Sequence, residues 1–233
     1  MPVEITGGSD AAAMALFDPA ALPPDFDAKM KEDPERLFTE MRQRGLALAM
    51  DCDADGDYPA HLYVNEALPE AHRAYLINPI VVERFAVPSG NLHWTGIEFA
   101  YQKDDSFLRK YPQMGCLRPI APGDYHVTAW ETMFPQEKLD AAIQAAVSPA
   151  QRALYRWHGR LAALAMAALL VAIVAFFKLD SRTWCLFALP PAALVIALPI
   201  LIDRLPLYRA AHKGVRAAES QFPSIIIEMK KIA

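Results

Sequence analysis

The sequence predicts an α+β protein: a domain with a small antiparallel sheet and flanking helices, followed by a C-terminal two-helix transmembrane hairpin and a short basic tail. Three observations carry that prediction. Residues 161–177 (LAALAMAALLVAIVAFF) and 184–202 (WCLFALPPAALVIALPILI) contain no charged side chain. Each run is close to the ~20 residues that a helix needs to cross ~30 Å of hydrocarbon, and neither shows the polar face of a soluble core helix. Upstream, short apolar runs lie between clusters of turn formers, which is a strand pattern. Charge is also divided. Up to Ser148 there are 12 Lys and Arg against 23 Asp and Glu, a net of −11; from Pro149 onward there are 11 against 4, a net of +7.

Taken in order, residues 1–32 are rich in Ala, Pro and Asp without sustained periodicity, and Leu22-Pro23-Pro24 stops any helix. An extended or partly ordered N-terminal arm is expected there. The acidic domain is expected to span residues 33–148. Asp33-Pro34-Glu35 supplies an N-cap, a proline at the first helical position and an acidic first turn, and Gly45 ends that helix. Residues 46–50 and 62–64 read as strands, and residues 70–76 as one or two helical turns. Residues 81–87 and 92–101 flank Pro88-Ser89-Gly90-Asn91 and read as a hairpin, with His93 and Thr95 toward the core and Trp94 semi-exposed. A second hairpin is expected around Ala121-Pro122-Gly123-Asp124, giving one antiparallel sheet of four to six strands. Residues 135–147 form a helix striped by Leu139, Ile143 and Val147. Ser148-Pro149 then restarts a helix that meets no terminator before Phe177 except Gly159.

The hairpin occupies residues 149–203, with spans at about 161–177 and 184–202 and a short connection at 178–183. Arg152, Arg156 and Arg160 precede the first span; Arg204, Arg209, Lys213 and Arg216 follow the second; the connection has only Lys178 and Arg182. Positive residues stay on the cytoplasmic side, and the N-terminus lacks the basic region of a signal peptide. Both termini are therefore expected in the cytoplasm of a bacterial cell, at the inner membrane. The basic tail, residues 204–233, ends in FPSIIIEM (222–229), expected to return as a strand to the edge of the sheet.

Few residues suggest chemistry. Arg152, Arg156 and Arg160 recur on one helix face, with Tyr155 and Trp157 beside them at headgroup depth, which is a membrane-interface signature. Asp51, Asp53, Asp55 and Asp57, with Gly56, match the first half of a calcium loop, but its twelfth position is Leu62 rather than a bidentate Glu. His93 and Cys116 are a candidate base and thiol on two strands. Cys52, Cys116 and Cys185 have no metal or disulfide spacing, and no nucleophile elbow, phosphate loop or dinucleotide fingerprint appears. No cofactor is indicated.

An acidic domain disfavours nucleic acid, whose phosphates need clustered Lys and Arg. It favours a neutral or basic protein partner. The leading expectation is a non-enzymatic, membrane-anchored interaction module, such as an immunity protein or an accessory subunit of an inner-membrane complex. The alternatives are a calcium- or ligand-responsive membrane sensor and a membrane-tethered Cys/His acyl hydrolase.

Overall fold

The computed structural model describes residues 2–103, 106–178 and 189–232. It is α+β and divides into two units: Met1–Phe134 with Pro223–Ala233, and Pro135–Phe222. The second unit is thus an insertion within the first. The boundary differs from the expected 33–148 domain, because residues 135–147 belong to the helical unit.

The first unit is built on two sheets. The strands are β1 (Val3–Ile5), β2 (Gly8–Ser9), β3 (Ala13–Phe17), β4 (Ala47–Asp51), β5 (Gly56–Asp57), β6 (Ala60–Val64), β7 (Leu76–Val87), β8 (Asn91–Gly96), β9 (Gly115–Pro119), β10 (Gly123–Thr132) and β11 (Ile225–Lys231). One sheet has the order β1-β6-β11-β10-β7, the other β4-β3-β8-β9, and β2 and β5 form a small ribbon. Every pair is antiparallel except β6 with β11, which run parallel.

The inner faces of the two sheets share one core. Met14, Leu16, Leu48, Met50, Leu92 and Trp94 come from the four-stranded sheet, and Ile5, Leu62, Phe85, Tyr125, Val127 and Ile227 from the other. The second face of the four-stranded sheet carries Ala15, Phe17 and Ala47. It is covered by helices α1 (Phe26–Glu32) and α2 (Pro34–Gln43) through Phe26, Met30, Leu37, Phe38 and Met41. Helix α2 begins at the cap read from the sequence: the Asp33 carboxylate accepts the Arg36 amide at 3.0 Å. It ends at Gly45, whose φ is +70°. Two short helices, α3 (Glu70–Arg73) and α4 (Ser106–Lys110), lie in connections.

Several expectations are corrected. Within residues 1–32 the chain is not an arm, because Ala13–Phe17 is a fully buried central strand of the four-stranded sheet. Its unbroken apolar run hides the period-2 signal, as happens when both faces are covered. The single sheet is two sheets, and neither predicted hairpin closes. Strand β7 pairs with β10 while β8 pairs with β3 and β9, so both turns carry the chain from one sheet to the other. Turn residues specify the reversal but not the partner. The two corners meet where the Ile120 amide donates to the Gly90 carbonyl at 2.8 Å. Trp94 is 1 % exposed rather than semi-exposed, since its face is the one between the sheets. Strand β11 lies inside its sheet, not at the edge; its three isoleucines, each at most 1 % exposed, need cover on both faces.

The second unit contains α5 (Gln136–Ala146), α6 (Pro149–Lys178), α7 (Leu189–Asp203) and α8 (Pro206–Glu219). Helix α6 is continuous and starts at Ser148-Pro149. Helix α8 is amphipathic: Tyr208, Ala211, Val215 and Ala218 are buried, while Arg209, Lys213 and Arg216 are exposed. Val147, Ala211 and Val215 form a core here with Ile143 and Tyr155. Among the described residues one helix, Pro149–Val174, is long and apolar enough to cross a membrane. Residues 179–188, which hold the expected connection apart from Lys178 and the start of the second expected span, Cys185 included, lie outside the described residues.

Candidate functional site

In the α+β unit the predicted chemical residues are dispersed. Strands β8 and β9 set Trp94 opposite Cys116 and His93 opposite Leu117. Directly opposed residues share a face and successive ones alternate. Cys116 therefore sits on the inner face with Trp94. His93 faces the helical layer, its ring 5.4 Å from that of Phe17. A base and a thiol on opposite faces of one sheet cannot form a nucleophilic dyad, so the expected pairing of His93 with Cys116 is corrected. Burial also raises the Cys116 thiol pKa, although the Thr6 backbone and Arg118 oppose the shift. Burial pushes Cys52 up to about 11, and both shifts disfavour the thiolate form.

Asp51, Asp53, Asp55 and Asp57 are all exposed along one reversal between β4 and β5. The Tyr58 hydroxyl donates to the Ala54 carbonyl and closes that turn on itself, while Gly56 and Asp57 pair with Ser9 and Gly8. Among the described residues no three His, Cys, Asp or Glu side chains converge as a metal site. The residues of the calcium-loop pattern lie in an exposed connection that carries the chain from β4, paired with β3, to β5, paired with β2.

The outer face of the five-stranded sheet carries a polar and aromatic group. His61 is buried; the Tyr63 hydroxyl lies 3.5 Å from His72 Nδ1; and the His61 and His72 rings are 6.3 Å apart. Burial lowers the His72 pKa and raises that of Tyr63. Glu228, 9 % exposed, holds Lys230 Nζ at 3.0 Å with one oxygen. His126 is more open, its Nε2 3.4 Å from Glu83.

The residues that do converge are in the helical unit. Arg152, Tyr155 and Arg156 of α6 line a cleft of about 630 Å³ with Ile143 and Asp140 of α5 and Val215 and Glu219 of α8. Arg152 and Tyr155 are half-buried; Arg156 and Arg160 are exposed. Trp157 is 58 % exposed, with the Arg160 guanidinium carbon 5.8 Å from its ring centre. Tyr155 stacks on Tyr208 at 6.0 Å with the rings 13° from parallel.

One linkage here was not anticipated from sequence. His158 Nε2 lies 3.0 Å from Asp203 Oδ1, and its Nδ1 lies 2.9 Å from the Tyr208 hydroxyl. The imidazole thus sits between a carboxylate and a phenol hydroxyl. Burial raises the Tyr208 pKa, and Asp203 and Tyr155 add to it. The chain joins α6, the end of α7 and α8. Its members are too far apart in sequence for any helical periodicity to connect them, and the only local signal is a histidine placed among interfacial arginines.

No family model and no curated protein matches this chain. Two solved structures resemble it in part. One is described as crocagin biosynthetic gene J, at TM-score 0.41 and 13 % identity, over 57 % of this chain and 77 % of that one. The other is ComJ from Bacillus subtilis, described as an inhibitor of the DNA degrading activity of NucA, at TM-score 0.34 and 15 % identity, over 57 % of this chain and 81 % of that one. Likeness at this level carries no argument about function.

Proposed function

We propose that this chain is a non-enzymatic protein-interaction module held at a bacterial inner membrane by a helical hairpin that crosses the bilayer twice. One observation carries the membrane part of the reading. Strands β10 and β11 are hydrogen-bonded neighbours in one sheet, from Tyr125↔Lys231 to Glu131↔Ile225, and all four long helices lie between them in the chain. An insertion that leaves and rejoins one folded sheet starts and ends on the same side of a membrane, so it crosses an even number of times. Helix α6 is 30 residues long, about 45 Å. Only 11 % of its most apolar stretch is buried, which suits lipid contact rather than a protein core. Helix α7 is the return crossing in this reading.

The interaction part rests on charge. The α+β unit carries 13 Lys and Arg against 22 Asp and Glu, a net of −9; the insertion carries 10 against 5, a net of +5. An acidic face suits a neutral or basic protein and is repelled by anionic lipid and nucleic acid. With both ends of the insertion in the cytoplasm, that face is presented there. An immunity protein that neutralises a basic toxin and an accessory subunit of a membrane complex are the two forms of this reading.

The test is cell fractionation followed by affinity capture from mild detergent. The reading predicts retention of the chain in carbonate-washed membranes and repeated capture of one partner, weakened by raised salt. Recovery in the soluble fraction would overturn the membrane part, and repeated capture of nothing the interaction part.

A further inference from the structure

We propose that the cleft between α5, α6 and α8 binds the headgroup of an aminophospholipid, a phosphodiester joined to a primary ammonium. The inference rests on the membrane reading above.

The cleft carries both charges without letting them meet. Arg152 and Arg156 line it together with Asp140 and Glu219, yet among the described residues neither guanidinium makes an ion pair. Elsewhere in the chain arginines beside carboxylates do pair, as in Arg44–Glu40 at 3.2 Å and Arg73–Glu70 at 3.1 Å. Two unpaired cations and two acidic groups around one space suit an occupant with a negative and a positive end. Its phosphate would take bidentate hydrogen bonds from the guanidinium forks, and its ammonium would donate to Glu219 and to Asp140, which also accepts from Gln136 Nε2 at 3.0 Å. A purely anionic headgroup would leave two carboxylates facing an anion.

Size and depth agree. The volume, about 630 Å³, falls within the ~300–1,000 Å³ usual for small-molecule sites. Ile143, Tyr155 and Val215 give it apolar walls for the glycerol end. Arg156 lies five residues before Leu161, where the charge-free run starts. At 1.5 Å per residue that is roughly 8 Å along the axis, comparable with the thickness of one headgroup layer. Trp157, largely exposed beside Arg156, marks the same level.

The experiment is native mass spectrometry of the full chain in mild detergent, with phosphatidylethanolamine, phosphatidylcholine or phosphatidylglycerol added at equal concentration. The expected result is about tenfold stronger retention of phosphatidylethanolamine than of the other two, reduced by excess soluble phosphoethanolamine but not by phosphocholine. Arg152→Gln with Arg156→Gln should abolish retention. Glu219→Gln should remove the preference for ethanolamine over choline while phosphate-dependent binding remains. Equal retention of the three lipids, a preference for phosphatidylglycerol, or undiminished binding by the double arginine variant would overturn the proposal. The competition arm uses the wild-type chain and decides the matter even if a variant misfolds. A chain that stays in washed membranes with no lipid preference defeats this inference alone; a chain found in the soluble fraction defeats the membrane reading on which it rests.

Discussion

Glu131 and Ile225 face each other across β10 and β11, although the entire helical insertion separates them in the chain. The pairing makes β11, which follows the insertion, a central strand of its sheet. It also means that folding the α+β unit requires both ends of the insertion to be on one side of any membrane that the insertion enters.

Removing residues 224–233 should abolish folding of the α+β unit. Ile225, Ile226, Ile227 and Met229 are each at most 1 % exposed. Burying such side chains contributes roughly 1.5–3 kcal/mol each, a sum comparable with the 5–15 kcal/mol by which a whole domain is stable. Loss of the cooperative unfolding transition by near-UV circular dichroism checks this. A truncated chain with an unchanged melting curve would show β11 to be dispensable.

Gly45→Ala should destabilise the protein by about 2 kcal/mol or more. The backbone at Gly45 has a positive φ, and an added Cβ would lie 1.7 Å from the Arg84 carbonyl oxygen, an overlap that only backbone movement relieves. The same glycine's carbonyl accepts the Ala86 amide at 2.8 Å, so movement here disturbs β7 as well. Chemical denaturation of the two proteins in the same detergent measures the difference.

Asp18 is fully buried and accepts from the Ala20 amide at 3.0 Å, the Ser89 amide at 2.8 Å and the Ser89 hydroxyl at 2.7 Å. Asp18→Ala leaves these donors without a partner and should cost about 2–3 kcal/mol; Ser89→Ala removes the hydroxyl's bond to Asp18 and its longer bond from the exposed Asn91 amide at 3.2 Å, and should cost about 1 kcal/mol. Equal costs for the two variants would contradict this division.

Cys52 should be slow to alkylate. Burial raises its thiol from an ordinary 9.0 to about 11, so at pH 8 the thiolate fraction is roughly a hundredfold below that of the unfolded chain. The linked stability has a definite sign. The folded state holds the proton more tightly, so the contribution is complete below pH 9 and is lost as pH rises from about 9 to about 11. Iodoacetamide labelling of Cys52 with and without urea, at several pH values, checks both statements.

Tyr208→Phe keeps the ring stack with Tyr155 but removes the hydrogen bond to His158. A loss of about 1 kcal/mol from the helical unit is expected. Because His158 also faces Asp203, His158→Ala should cost more, through the unpaired Tyr208 hydroxyl and the lost partner of Asp203. Thermal melts of the full chain in detergent rank the two.

Local features were legible in the sequence because local physics makes them. The Asp33 cap, the Gly45 stop, the continuity of α6 from Ser148-Pro149 and the amphipathic face of α8 each follow from residues within a turn or two of one another. Partner choice was not legible. The turns at Pro88–Asn91 and Ala121–Asp124 look like hairpin turns from within, yet each hands the chain to the other sheet, and only the far partners β3 and β10 decide that. Ala13–Phe17 was missed because a strand covered on both faces has no alternation to read. At the candidate site the three arginines and their aromatic neighbours stood out by helical spacing. Asp140, Glu219 and the His158–Asp203–Tyr208 chain did not, since they come together only when four helices pack.

The central claim, a two-crossing insertion with both ends on one side, is tested most directly by labelling single cysteines in intact cells with a membrane-impermeant maleimide. In a background in which Cys52, Cys116 and Cys185 are replaced by alanine, cysteines are introduced at Ser148, Ser181 and Ser220. The account predicts that Ser181→Cys is labelled from outside, while Ser148→Cys and Ser220→Cys react only after the membrane is opened. Protection of Ser181→Cys together with the other two, or labelling of Ser148→Cys and Ser220→Cys from opposite sides, would contradict it.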